Sequence, residues 1–245
     1  MVRKNMVSIA RNGREMDAVQ YIPDVADFPV VVFSHGYNGC LGDFAAEAEF
    51  LAEHGVGAVT FTFCGSGVHD RSGFPTTEMT LFTEREDLFA VMEHVCSMTG
   101  YNGKLVLFGG SQGGMVSWLA ATERKEDVSG LALLYPAFCI PDNWREKLPG
   151  SIPDCLDFWG VKLGRDFFVT ARGLDVYSPM RDFDKPVLLL HGEKDAVVPL
   201  SYSERAACAF PDAGLVVYPG EGHGFSADGM KDVSKRLLAF VRGLQ

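Results

Sequence analysis

Apolar and polar positions divide the chain into short, punctuated elements. Near the start, "MVSIA" and "EMDAVQYI" flank Asn12-Gly13, a pairing that predicts a hairpin with a two-residue turn. The run "FPVVVFSHG" (28–36) is apolar over the length of a strand and stops at His-Gly. "DFAAEAEFLAEHG" then changes to helical spacing, with Asp43 as the expected N-cap and Gly55 just past the end. "GAVTFTFCG" is a second β-branched and aromatic run, followed by a loop rich in Gly and Ser. Leu81, Phe82, Leu88, Phe89, Met92 and Val95 recur at i, i+3 and i+4 and predict an amphipathic helix.

"KLVLFGG", "GLALLYPA", "KPVLLLHG" and "AGLVVYPG" read as four more buried strands. Helical patterns follow the first, third and fourth, in "MVSWLAATER", "SYSERAACAF" and "DVSKRLLAFV". Apolar strands alternating with amphipathic helices predict an α/β fold: a mostly parallel twisted sheet with helices on both faces. One connection breaks the rhythm. About 45 aromatic-rich residues, interrupted by Pro141, Pro149 and Pro153, separate "LLYPAF" from "KPVLLLHG". A structureless connection of that length is unusual in a compact domain, so a small inserted cap over the carboxyl ends of the strands is expected. The organisation expected is core over 1–137, cap over 138–183 and core again over 184–245.

Composition adds constraints. Of 245 residues 47% are hydrophobic and 22% charged, as in an ordinary globular protein. The net charge of −10 argues against a nucleic-acid binder or a protein of anionic membrane surfaces, both of which use basic patches. The N-terminus has no apolar h-region, and no apolar run approaches the length of a membrane helix, so a cytoplasmic protein is expected. The six cysteines lie far apart and read as reduced, mostly buried thiols.

The chemistry centres on Gly109-Gly110-Ser111-Gln112-Gly113, a G-x-S-x-G between an expected strand and helix. That context suits a nucleophile elbow, in which a strained turn lifts the serine oxygen above the sheet and small neighbours let helix and strand close around it. Serine needs a base, and the base needs an acid to orient it. In the order such hydrolases use, Asp195 follows in "VLLLHGEKDAVVP" and His223 in "LVVYPGEGHGF". The other histidines fit less well: His54, His69 and His94 read as solvated, His191 as structural and His35 as fixing its loop. Glu193, Asp184 and Glu221 are competing acids in less suitable positions. Backbone N–H groups of Tyr37 and Gln112 are the natural oxyanion pair. No His/Cys/carboxylate cluster shows metal-ligand spacing, so no metal or other cofactor is expected.

On "FSHGYNG", "FTFCGSGVHDRSGFPTTEMTLFTEREDL", "GGSQGG", "HGEKDAVVP" and "EGHGF", the chain resembles the α/β-hydrolase superfamily over nearly its whole length. With "LGRDFFVTARGLDVYSPM", it looks more narrowly like the bacterial feruloyl (cinnamoyl) esterases. The resemblance implies nucleophile Ser111, acid Asp195, base His223 and oxyanion amides of Tyr37 and Gln112. It also implies a cap that holds a hydroxycinnamoyl ring, with Asp142 near the position of an acid that meets the phenolic hydroxyl. An ordinary loop aspartate is an equal reading of Asp142. Phe167 and Phe168 stand where relatives often carry tyrosine, giving an apolar wall without a hydroxyl, or simply the cap's own core. Thr62 replaces an aspartate common in relatives.

The function expected is serine carboxylic-ester hydrolysis through an acyl-enzyme, on hydroxycinnamoyl or similar aryl and short acyl esters. A thioesterase, monoacylglycerol lipase or small-peptide hydrolase would use the same three residues, and a binding module on the same fold is a remoter alternative. Ser111 argues against dehalogenases and epoxide hydrolases, which need aspartate at the elbow. The expected partner is a small-molecule ester; a homodimer is left open.

Overall fold

The computed structural model describes residues 2–244. Strands β1 (Arg3–Arg11) and β2 (Arg14–Ile22) form the opening hairpin in full antiparallel register. Asn12 and Gly13 both take positive φ, at 50° and 76°, as the primed turn of a right-twisted hairpin requires. The remaining sheet strands are β3 (Phe28–Ser34), β4 (Gly57–Phe61), β5 (Tyr101–Gly110), β6 (Gly130–Leu134), β9 (Val187–Gly192) and β10 (Ala213–Tyr218). Together the eight strands run in the order β1-β2-β4-β3-β5-β6-β9-β10. Everything from β4 to β10 is parallel, and only β1 and β2 run against their neighbours. This is the α/β-hydrolase architecture.

Helices α1 (Ala45–Glu53) and α7 (Ala227–Gly243) cover one face, where Leu51, Val233 and Leu237 pack with Phe33 and Phe108 of the sheet. The other face carries α2 (Leu81–Cys96), α3 (Gln112–Glu123) and α6 (Ser201–Ala209), with Leu88, Trp118 and Ala206 in its core. Burying both faces is what the near-continuous apolar strands require.

Between β6 and β9 the chain forms α4 (Ile140–Lys147), a small hairpin of β7 (Cys155–Phe158) and β8 (Val161–Gly164), and α5 (Arg165–Gly173). Trp144, Phe167 and Phe168 are buried there, so this segment has its own aromatic packing, continuous with the core below.

Four expectations need correction. Asp43 does not cap α1: the cap position is Phe44, with no side-chain hydrogen bond, because a tight turn over 40–45 already satisfies the backbone there. Strand β10 is the sheet edge and is only partly buried. Of the six free thiols only Cys64 and Cys139 are buried, while Cys96, Cys155 and Cys208 sit on outward faces. His94 is not simply solvated, since its Nε2 accepts from the Gln20 side-chain amide at 2.8 Å. Among the described residues, no helix is long and apolar enough to cross a membrane.

Candidate active site

The carboxyl end of β5 stops in Gly109-Gly110, and Ser111 turns the chain straight into α3. Ser111 has φ 53° and ψ −120°, a region that costs an L-residue on the order of 1–3 kcal/mol and persists only when the surroundings enforce it. The surroundings do so. Ser111 N–H donates to Leu134 O at 3.0 Å, and its carbonyl accepts from Ala137 N–H at 2.9 Å. A Cβ at Gly113 would lie 2.2 Å from Ser34 O and 2.3 Å from His35 O, so only glycine lets α3 start this close to β3.

His223 lies in the loop between β10 and α7, and Asp195 in the loop after β9. His223 Nδ1–H donates to Asp195 Oδ2 at 2.8 Å, which leaves Nε2 to accept from Ser111 Oγ–H at 3.0 Å. Asp195 Oδ1 is occupied by the N–H groups of Val197 and Val198, at 2.9 and 2.8 Å. Burial opposes its ionisation, but bonds from His191, His223 and Val198 outweigh burial and hold it well below the usual carboxylate range. His223 therefore faces an ionised carboxylate at neutral pH.

His191 is fully buried behind that acid. Its Nδ1 accepts from Ser203 Oγ–H at 2.7 Å; its Nε2–H donates to Val198 O at 2.9 Å and lies 3.4 Å from Asp195 Oδ2. It shares the acid with His223 from the side away from the serine. His35 has a different task. Phe63 N–H donates to its Nε2 at 3.0 Å, so Nδ1 carries the proton and donates to Gly36 O at 2.7 Å, pinning the loop that ends β3. Two of the three competing acids are spent locally: Glu193 on Gly220 N–H, and Glu221 on Ser226. Thr62 Oγ1 accepts from Leu41 N–H at 3.0 Å, bracing the same loop from below.

Tyr37 and Gln112 both border the cleft at Ser111, and the backbone N–H of each is without an acceptor among the described residues. The Gln112 side chain points inward instead, donating from Nε2 to Glu84 Oε2 at 2.8 Å. Glu84 is 2% exposed, and burial pushes its carboxyl up to about 8 despite that bond. Nothing in the sequence distinguishes Glu84 from its acidic neighbours Glu86 and Asp87, which is why sequence reasoning passes over it.

Two clefts meet at the serine. One runs under the cap between Ala137, Ile140, Trp144, Phe158 and Phe167. The other opens toward Tyr135, His223, Phe225 and Met230. Tyr37 and Trp159 border both and divide them. Trp159 sits in the β7–β8 turn, stacked on Phe158 with centroids 4.7 Å apart, and Tyr37 Oη–H ties that turn down by donating to Phe158 O at 2.7 Å.

Of the cap residues singled out in the sequence, Phe167 lines the first cleft. Phe168 does not; it is fully buried against Trp144, centroids 4.7 Å apart. Asp142 does not either. Its carboxylate accepts from Arg145 at 2.9 Å and from Tyr202 Oη–H at 3.0 Å, facing a separate surface cleft, because residue 142 is out of phase with the inward stripe of α4. Among the described residues no three His, Cys, Asp or Glu side chains converge to hold a metal.

A family model described as serine aminopeptidase, S33, matches residues 27–167, and one described as TAP-like protein matches 171–244. A bifunctional esterase/perhydrolase of Acinetobacter calcoaceticus is 25% identical over 88% of this chain and 92% of its own. The structure of Est1E from Butyrivibrio proteoclasticus with bound ferulic acid superposes with a TM-score of 0.89 at 26% identity, covering 97% of this chain and 98% of that one. A second structure of Est1E superposes with a TM-score of 0.86. With more than half its length under the first family model and an esterase matched nearly end to end, the chain belongs to the α/β-hydrolase superfamily, in the family described as serine aminopeptidase, S33.

Proposed function

We propose that the protein is a serine carboxylic-ester hydrolase working through an acyl-enzyme on aryl and short acyl esters of the hydroxycinnamoyl type. The observation that carries this reading is the unbroken hydrogen-bond chain from Ser111 Oγ through His223 to Asp195, at 3.0 and 2.8 Å, on a serine held at positive φ.

In this mechanism Ser111 Oγ attacks the ester carbonyl as His223 Nε2 takes its proton. Asp195 keeps His223 in the tautomer that can accept and stabilises the imidazolium that results. The N–H groups of Tyr37 and Gln112 receive the oxyanion, each such donor being worth about 10²–10³ in rate. Collapse breaks the bond to the alkoxide, which leaves with the proton from His223. Water then adds to the acyl-enzyme with His223 as base, releasing the acid and regenerating Ser111.

Ester rather than peptide hydrolysis is supported by the first cleft's apolar and aromatic walls. Among the described residues no carboxylate lines that cleft, while Asp43 borders the second. The likeness to an esterase and to a ferulate-bound structure points the same way.

The test compares wild type with Ser111→Ala on p-nitrophenyl acetate, p-nitrophenyl octanoate and methyl ferulate. The expected result is a loss of about 10⁴–10⁶ in kcat for the variant, with ferulate favoured in kcat/KM. Octanoate preference would make the enzyme lipase-like, and equal inactivity of both proteins would sink the catalytic reading.

A further inference from the structure

The cleft beneath the cap is apolar along its walls but ends in a cation. Ile140, Asn143, Trp144 and Lys147 all line it. Their spacing of i, i+3, i+4 and i+7 makes them one stripe of α4, running away from the serine. The near end is fixed beside the elbow, since Ala137 N–H donates to Ser111 O at 2.9 Å. From Ile140 to Lys147 the helix rises about 10 Å, the reach of an acyl group built from a ring and a short unsaturated spacer.

The Lys147 side chain is exposed, but its ammonium lies over aromatic rings of the cleft wall. It lies 4.9 Å from the ring centroid of Phe158 and 5.3 Å from that of Trp144, both walls of the cleft. It has no carboxylate partner among the described residues, in a chain with a net charge of −10. Its neighbour Arg145, on the outward face, is fully engaged by Asp142 and the carbonyls of Arg172 and Leu174. Asn143, the other polar side chain along the cap wall, is turned to Cys139 Sγ at 3.4 Å. No Asp or Glu borders the cleft to compete for the ammonium.

We propose that Lys147 is a specificity-determining residue that selects aromatic acyl groups carrying a carboxylate at the end remote from the ester. The proposal rests on the ester-hydrolase reading of Ser111 and names the acyl class within it. A carboxylate there gains a charge-assisted hydrogen bond, while the ring occupies the space between Trp144, Phe158 and Phe167.

The experiment is built so that turnover is not needed. Cinnamate and 4-carboxycinnamate, the free acids, are titrated as competitors against labelling of Ser111 by a fluorophosphonate probe. The dicarboxylate is expected to protect at about five- to tenfold lower concentration, an advantage that shrinks between 0.05 and 0.5 M salt. Lys147→Met should bring the two acids level, and Lys147→Glu should reverse their order; residue 147 is exposed, so both variants keep the fold. Equal protection by the two acids in wild type, or an unchanged ratio in Lys147→Met, overturns the proposal and leaves the ester reading standing. A wild-type Ser111 that the probe does not label removes that reading, and this proposal with it.

Discussion

The side-chain amide of Gln112, the residue after the elbow serine, donates to the carboxyl of Glu84 at 2.8 Å inside the protein. Glu84 is held mostly neutral by burial, with its carboxyl pushed up to about 8 from 4.5. A carboxyl raised in the folded state stabilises that state at low pH and withdraws the contribution as pH climbs through the folded value. Asp87, pushed up to about 6 chiefly by burial, acts in the same direction lower in the range. The urea midpoint should therefore fall from pH 5 to pH 8, by a stability loss on the order of 3–5 kcal/mol. Glu84→Gln should flatten the slope above pH 6. A midpoint independent of pH in wild type would show that the buried carboxyl is neutralised some other way.

Asp195→Asn tests the orientation of the base. The carboxamide can turn an N–H toward His223, favouring the tautomer with its proton on Nε2, which cannot accept from Ser111. The expected loss in kcat is about 10⁴, with far-UV circular dichroism unchanged. Retention of more than a tenth of the activity on p-nitrophenyl acetate would assign Asp195 a structural role only.

Gly113→Ala would force a Cβ against two backbone carbonyls at the end of β3, and backbone cannot step aside as a side chain can. Destabilisation of about 1–3 kcal/mol is expected by urea titration, together with loss of activity, because the elbow itself must shift. Gly150→Ala, where an added Cβ meets nothing within 4 Å, is the control and should change stability by less than about 0.5 kcal/mol.

Tyr37→Phe removes the hydroxyl that holds the cap hairpin through Phe158 O, while leaving its backbone N–H at the serine. A hydrogen bond of this kind is worth about 0.5–1.5 kcal/mol net. KM for methyl ferulate should rise about three- to tenfold with kcat within twofold. A fall in kcat alone would mean that the hydroxyl serves the chemistry and not the cap.

The parts of the molecule legible in sequence are those with local punctuation. Asn12-Gly13 announces its turn, and the glycines around Ser111 announce a close approach of helix and strand. Asp195 and His223 stand out because each follows an apolar strand, and the structure brings both into hydrogen-bonding contact with or toward Ser111. Burial of one acid among several is different. Glu84, Glu86 and Asp87 lie within four residues on α2, and only tertiary packing makes the first a neutral partner of Gln112 while the second meets Arg11 and Arg85 at the surface. Asp142 could not be placed from sequence for a related reason: the start of α4 sets its phase, which puts Asp142 at a separate surface cleft and lets Lys147 border the one at the serine. His191 gave no signal as a partner of the acid because its contact depends on how the loop after β9 curls back over that strand.

On the ester-hydrolase reading, Trp159, which borders both clefts, would separate selection of the acid from selection of the alcohol. Residues of the cap helix line only the first cleft, and Phe225 and Met230 line only the second. On that reading, substitutions along 225–230 would change the alcohols accepted without disturbing the acids recognised, giving the substrate range two independent axes.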